Sequence, residues 1–211
     1  MPARRQSEKP TRAPSDHVRR KQDRRRSDIL DAAAAVFAER GYFNTSMQDI
    51  ADRLGMQAGS LYHYYSSKEA ALEEICRLSA VEFCETLRAI LAKGGPASAM
   101  VHEGMLAHLT SSRRTYVEVF AFSRRNLPDA IVDDLNNLAR AYRQIWKRIF
   151  QHGAERGEWR EALDPDIAAD AVLALCNSAA STLSRRKSVD ARKAATMWVE
   201  LFLDGTRKRH D

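Results

Sequence analysis

Apolar side chains in this chain recur every three or four residues, and that spacing leaves it little besides helices to fold into. Residues 128–156 give the cleanest case. Ile131, Leu135, Leu138, Tyr142, Ile145, Trp146, Ile149 and Phe150 share one stripe, as on an amphipathic helix with one buried face. No run alternates with the two-residue period of a strand. Nine helices are expected, making an all-α fold. The first five cover about Arg24–Arg40, Met47–Leu54, Ala58–Tyr64, the stretch from the capping sequence Ser66-Ser67-Lys68-Glu69 to Lys93, and Ala97–Leu109. The others cover Tyr116–Arg124, Pro128–Arg156, the stretch opened by Asp164-Pro165 and reaching Leu183, and a last helix capped by Ser188 and ending near Gly205. Gly41, Gly55, Gly94-Gly95-Pro96 and Gly157 punctuate them, as expected of helix C-termini.

The charge is unevenly placed. Residues 1–26 hold ten Lys or Arg and three acids, for +7, while the remainder is 24 basic against 25 acidic, or −1. Residues 1–22 also contain Pro2, Pro10 and Pro14 and almost no large apolar groups. They bury too little to offset ordering entropy and read as a disordered basic arm. A localised cationic arm suits a polyanion partner, though a solvated tail has the same charge. The three cysteines, Cys76, Cys84 and Cys176, form no C-x-x-C pair, so reduced thiols in helices are expected rather than a disulfide framework or a zinc site. The six histidines lack metal spacing, and no metal or cofactor is expected. No window approaches the roughly 20 apolar residues of a membrane span, and no signal peptide opens the chain, so a cytoplasmic protein is expected.

The informative stretch runs from Gly41 to Leu72, GYFNTSMQDIADRLGMQAGSLYHYYSSKEAAL. It reads as two short helices and a tight turn. Ile50, Ala51, Leu54, Met56 and Leu61 can close a small shared core, and Gly55 permits the turn. In this helix-turn-helix arrangement the second helix enters the major groove of DNA. Gly59, Ser60, Tyr62 and His63 lie away from Leu61, and such short or polar groups can meet base edges and phosphates. An ordinary solvated helix face has similar residues. The stretch resembles the TetR family signature through Phe37, Gly41, Thr45, Ser46, Ile50, Ala51, Gly55, Met56, Ser60, Leu61, Tyr62, Tyr64, Tyr65 and Lys68, with Tyr65 where the family usually has Phe.

The resemblance implies a helix-turn-helix domain over residues 23–68, a helical ligand-binding and dimerisation domain over 69–211, and a homodimer on a palindromic operator in double-stranded DNA. It puts phosphate contacts on Thr45, Ser46, Tyr62 and Lys68, and base reading on Gln48, Ala58, Gly59, Ser60 and His63. It leaves Tyr64 in the core. It also implies a small-molecule effector held in the second domain, and therefore a transcriptional repressor released by its ligand.

Phe83, Leu87, Met105, Leu109, Tyr116, Phe120, Tyr142, Trp146 and Phe150 are core residues in the plain reading. As a set they can instead line an apolar cavity, the usual small-molecule site, with Asn177 as its polar anchor. Arginine pairs at 113–114, 124–125, 185–186 and 207–209 are surface charge, or they serve an amphipathic ligand such as an acyl-coenzyme A. Ala168, Ala169, Ala171, Ala174, Ala179 and Ala180, with the apolar stripe of the last helix, suit a four-helix dimer interface. No catalytic motif is present, so an enzyme is the least favoured class. A non-specific DNA-packaging protein is the alternative; it accounts for the basic arm but not for the capped, tightly turned motif.

Overall fold

Residues 16–111, 129–185 and 190–207 are described by the computed structural model of the protein. Among them are eight helices: α1 (Asp16–Arg40), α2 (Met47–Arg53), α3 (Ala58–Tyr62), α4 (Lys68–Lys93), α5 (Ala97–Thr110), α6 (Asp129–Glu155), α7 (Pro165–Arg185) and α8 (Ala191–Thr206). The helix expected at Tyr116–Arg124 falls outside the described residues, as do the arginines at 113–114 and 124–125. So does Ser188; the cap of α8 is Asp190, whose carboxylate accepts from the backbone N–H of Arg192 and Lys193.

One boundary needs correction. Helix α1 begins at Asp16, so residues 16–22 of the expected arm are helical. Low apolar content excludes a buried core there, but not a helix. Once Ile29, Leu30 and Ala33 anchor the following turns, each added residue fixes one backbone hydrogen bond without a new nucleation cost. Arg, Lys and Gln are good helix formers, and no proline interrupts after Pro14.

Two apolar cores organise the chain. The first gathers Ile29, Leu30, Ala33 and Phe37 from α1, Ile50 and Ala51 from α2, Leu61 from α3, and Leu72, Ile75 and Cys76 from α4. Leu135 of α6 completes it. The second gathers Phe83, Leu87 and Ile90 from α4, Met105 and Leu109 from α5, Trp146 and Phe150 from α6, Val172 and Cys176 from α7, and Val199 and Leu203 from α8. The expected boundary at residue 68 therefore cuts too early: the first two turns of α4 belong to the N-terminal core.

Long-range polar contacts fasten the second core. Pro96 precedes α5 with no side-chain cap of its own. The Glu158 carboxylate instead accepts from the N–H groups of Ala97 and Ser98, both at 3.1 Å, as an N-cap does. The neighbouring Trp159 donates its indole N–H to the Phe150 carbonyl at 2.9 Å. Arg143 of α6 forks onto Asp170 of α7 at 2.5 and 2.9 Å.

Gly153 is where α6 passes Trp159. A Cβ there would stand 2.2 Å from the Trp159 indole nitrogen and 2.7 Å from the Ala97 Cβ. Gly153→Ala should therefore lose about 1–3 kcal/mol through overpacking, despite its better helix propensity. Urea denaturation followed by circular dichroism checks this, and an unchanged midpoint would mean that the Trp159 loop yields freely.

Candidate DNA-reading surface and effector pocket

The turn between α2 and α3 is built by local rules. Ser46 caps α2 in a complete capping box: its hydroxyl accepts from Asp49 N–H, and the Asp49 carboxylate accepts from Ser46 N–H at 2.8 Å. The Ser46 hydrogen bonds hold the half-buried Asp49 carboxyl below its ordinary range, and Arg40 pairs with the same carboxylate. Gly55 takes φ +61°, where no Cβ is tolerated without strain. Met56 N–H then donates back to the Ala51 carbonyl at 2.9 Å, closing the turn. Leu61 is fully buried and fixes the rotation of α3. Its outer face follows: Gly59, Ser60, Tyr62 and His63 are exposed, and Ala58 is half-buried. Ser46 and Gln48 stand beside them on the surface, Gln48 donating to the Asp52 carboxylate at 2.6 Å.

Two residues expected to meet phosphate face inward. Thr45 is 3% exposed, and its hydroxyl donates to the Gly41 carbonyl at 2.9 Å. Lys68 donates to the carbonyls of Tyr42 and Thr45 at 3.0 and 2.9 Å, with its ammonium 4.5 Å from the Tyr42 ring centroid. Beside it, Tyr42 donates to the Glu69 carboxylate at 2.6 Å. Burial and this carboxylate push the Tyr42 phenol up, while the phenol holds Glu69 down. The first turn of α4 thus latches the 41–45 loop. A cation at a helix N-terminus suggests an anion partner, but here the nearer acceptors are backbone carbonyls.

Sequence reasoning missed Phe43, which is 71% exposed beside this latch; an aromatic in a short loop gives no sign of which way it faces. Tyr64, expected in the core, is half-buried against it. It also borders a surface groove lined by His17, Lys21, Arg24 and Arg25 of α1. These basic residues of α1, with Gln22 and Asp28, thus lie along one groove beside Tyr64, two residues past the end of α3.

A cavity of about 160 Å³ lies between α4, α5, α6 and α7, lined by Cys76, Ser79, Ala80, Phe83, His108, Leu135, Leu138, Ala139, Tyr142, Leu173 and Asn177. Phe83, Tyr142 and Asn177 were expected there, although Asn177 is exposed and stands at the rim. Leu87, Met105, Leu109, Trp146 and Phe150 are instead packed solid in the second core. Tyr116 and Phe120 lie outside the described residues. The missed lining had a signal: Cys76, Ser79, Ala80 and Phe83 share one helical face, and small residues on an apolar face leave room. Nothing in the sequence marked His108. It is 2% exposed, stacks on Phe83 with ring centroids 4.5 Å apart, and places Nδ1 3.0 Å from the Tyr142 hydroxyl. Burial pushes its imidazole down to about 4 and the Cys76 thiol up to about 12, so both are neutral at pH 7. The described residues contain no cluster able to hold a metal, and no helix among them is long and apolar enough to cross a membrane.

These contacts give two expected outcomes. Lys68→Met should lower stability by about 1–3 kcal/mol, because the part-buried Thr45 carbonyl loses its Lys68 donor and the Tyr42 carbonyl keeps only Thr45 N–H. The salt dependence of DNA affinity should keep its slope; a slope reduced by about one unit would show a phosphate contact instead. For His108, the unfolded imidazole binds a proton near pH 6.5 and the folded one only near pH 4. Stability should be complete above pH 6.5 and fall through this window, by on the order of 3 kcal/mol. Urea midpoints measured from pH 7 to 4 test this, since His108→Phe should flatten that part of the profile.

Comparison with known proteins agrees with this geometry. Residues 29–75 match the family described as bacterial regulatory proteins, tetR family, and residues 95–206 match the tetracyclin repressor-like C-terminal domain. The chain is 27% identical over 191 residues to the HTH-type transcriptional repressor KstR2 of Rhodococcus jostii strain RHA1, covering 89% of this chain and 93% of the relative. Its fold superposes on the ketosteroid transcriptional regulator KstR2 of Mycobacterium tuberculosis with a TM-score of 0.79 at 24% identity, covering 88% and 96% of the two chains. It also superposes on AibR, solved with isovaleryl coenzyme A and operator DNA, with a TM-score of 0.71 at 20% identity over 84% and 97%. With both its helix-turn-helix and its C-terminal helices matched, the chain belongs to the TetR family of DNA-binding transcription regulators and is not an enzyme.

Proposed function

We propose that the protein is a dimeric repressor that reads a palindromic operator through α3 and leaves it when a small hydrophobic or amphipathic molecule fills the cavity beside α4. One observation carries this reading. Cys76 and Leu135 line the cavity and also belong to the core of the DNA-reading domain. A ligand placed there touches the packing that orients α3, so a differential affinity for two arrangements of that core converts binding into release. The described lining holds no Lys, Arg, Asp or Glu, which suits an apolar ligand end. An acyl-coenzyme A would put its acyl part inside and its phosphates outside. The names of the similar proteins, a ketosteroid regulator and an isovaleryl coenzyme A complex, support a ligand of this kind.

In this reading Gln48, Ala58, Gly59, Ser60 and His63 meet bases, while Ser46, Tyr62 and the basic residues of α1 meet phosphates. Thr45 and Lys68 hold the loop. The two-fold partner covers α7 and α8. Ile167, Met197 and Leu201 are 69%, 56% and 68% exposed, and Ala171 and Ala174 are exposed on the same helix as Ile167. Ala168, Ala169 and Ala179 are buried within the protomer and take no part. Two copies of α3 related by a two-fold axis fit half-sites about one helical turn apart, roughly 34–36 Å.

Three measurements test the reading. Selection from random DNA should return a pseudo-palindrome; no consensus would remove the operator from it. Leu201→Glu should shift sedimentation from dimer to monomer at micromolar concentration and abolish operator binding. At Gly59 nothing stands within 4 Å of an added Cβ, so Gly59→Ala should stabilise α3 by up to about 1 kcal/mol while weakening operator binding. Unchanged operator affinity would take Gly59 off the DNA face.

A further inference from the structure

Tyr and Trp aside, the described residues bury four polar side chains, and three of the four are hydroxyls that solve their hydrogen bonding locally. Thr45, Ser79 and Thr206 each donate to the carbonyl four residues earlier, at 2.9, 2.8 and 3.1 Å. The fourth, His108, cannot reach its own helix backbone in that way. Its Nδ1 is bonded to Tyr142, and its Nε2 is buried with no hydrogen-bond partner among the described residues. Leaving such a group unsatisfied carries a full desolvation penalty, and native structures seldom do so without a functional reason. Tyr65 Oη and Trp146 Nε1 are also buried without a well-formed hydrogen bond, but of the three residues only His108 lines the cavity.

We infer that His108 is the polar anchor of the effector, donating from Nε2 to an uncharged carbonyl oxygen on the ligand end buried in the cavity. This rests on the cavity being the effector site. The direction of the bond follows from Tyr142. Its buried hydroxyl faces Nδ1 of His108 and the Trp146 indole N–H, and because the indole can only donate, the phenol's own proton goes to Nδ1. A phenol that donates to Nδ1 leaves the imidazole proton on Nε2, so Nε2 needs an acceptor. Phe83 stacked on one face holds the ring plane. The other polar groups at the cavity are already engaged or peripheral: the Ser79 hydroxyl is bonded to Ile75, and the Asn177 amide stands at the rim.

The ligand class follows from the same inventory. An ionised carboxylate inside would have no cation among the described lining residues and would lose its hydration without compensation. A hydrocarbon would leave Nε2 unsatisfied. A ketone, ester or thioester carbonyl on an apolar body meets both requirements. The volume limits that body: a cavity of about 150 Å³ holds a benzene-sized molecule, and this one is about 160 Å³.

Three six-membered-ring probes of this size test the assignment on the full chain. They are cyclohexanone, methylenecyclohexane (a CH₂ in place of the oxygen) and cyclohexanecarboxylate. Affinities come from shifts of the Leu135 and Leu173 methyl resonances, and the proton on Nε2 is followed in ¹⁵N-histidine-labelled protein. Cyclohexanone should move the His108 Nε2 resonance, and methylenecyclohexane should bind without moving it. The ketone-to-alkene affinity ratio should fall roughly 2- to 10-fold in His108→Phe, which keeps the ring and removes the donor. An unchanged ratio, an Nε2 signal unmoved by the ketone, or carboxylate binding as tight as the ketone's would overturn the assignment while leaving the pocket in place. Failure of both neutral probes to shift the pocket methyls would remove the pocket reading, and the anchor with it. Should His108→Phe not fold, the wild-type Nε2 response decides alone.

Discussion

One unbroken helix contributes side chains to both apolar cores of this protein. Helix α4 runs from Lys68 to Lys93 with no glycine or proline, a rod of roughly 39 Å. Its first turns supply Leu72, Ile75 and Cys76 to the N-terminal core, and its later turns supply Phe83, Leu87 and Ile90 to the other. Sharp helix bends need a proline, a small-residue pair or an inserted group; α4 has no proline or glycine, and its one adjacent Ser-Ala pair is Ser79-Ala80. Phe83 and Lys68 therefore lie on one continuous element. At Lys68 the rod meets the 41–45 loop through one cation, one phenol and one carboxylate rather than through packing alone. Such a joint is directional: it resists sliding of the loop along α4.

The DNA-reading half was legible in the sequence because its rules act over short distances. A capping box spans three residues, the tight turn needs one glycine, and one buried leucine sets which side chains of α3 face out. Length and outward direction therefore came out nearly right, with α3 two residues shorter than its pattern suggested. Thr45 and Lys68 turn inward, which the sequence did not indicate, for the same reason that the rest was read well. Their types and positions suit phosphate, and only the three-dimensional path of the 41–45 loop reveals that backbone carbonyls lie closer.

The cavity was much less legible. Tyr142, Trp146 and Phe150 lie on one stripe of α6, yet Tyr142 borders a hollow while Trp146 and Phe150 are packed solid. Whether an aromatic fills a core or edges a void depends on the volumes facing it. Here those are Cys76, Ser79 and Ala80 from a helix some 60 residues earlier in the chain. The Glu158 cap on α5 was hidden for a similar reason, since it is an N-cap supplied by a residue far away in sequence. The extent of α1 was missed for another reason: composition speaks to burial, whereas a helix anchored at one end continues on propensity alone.

Leu135 has a consequence for how the chain is made. It is the piece of the N-terminal core that comes from α6, and the ribosome adds it long after α1 to α3 have emerged. At about 5–20 residues per second, several seconds separate the completion of the helix-turn-helix from the arrival of the side chain that closes its core. During that interval the nascent chain has a reading head without its keystone. An unfinished polypeptide therefore has an N-terminal core that lacks its contribution from α6.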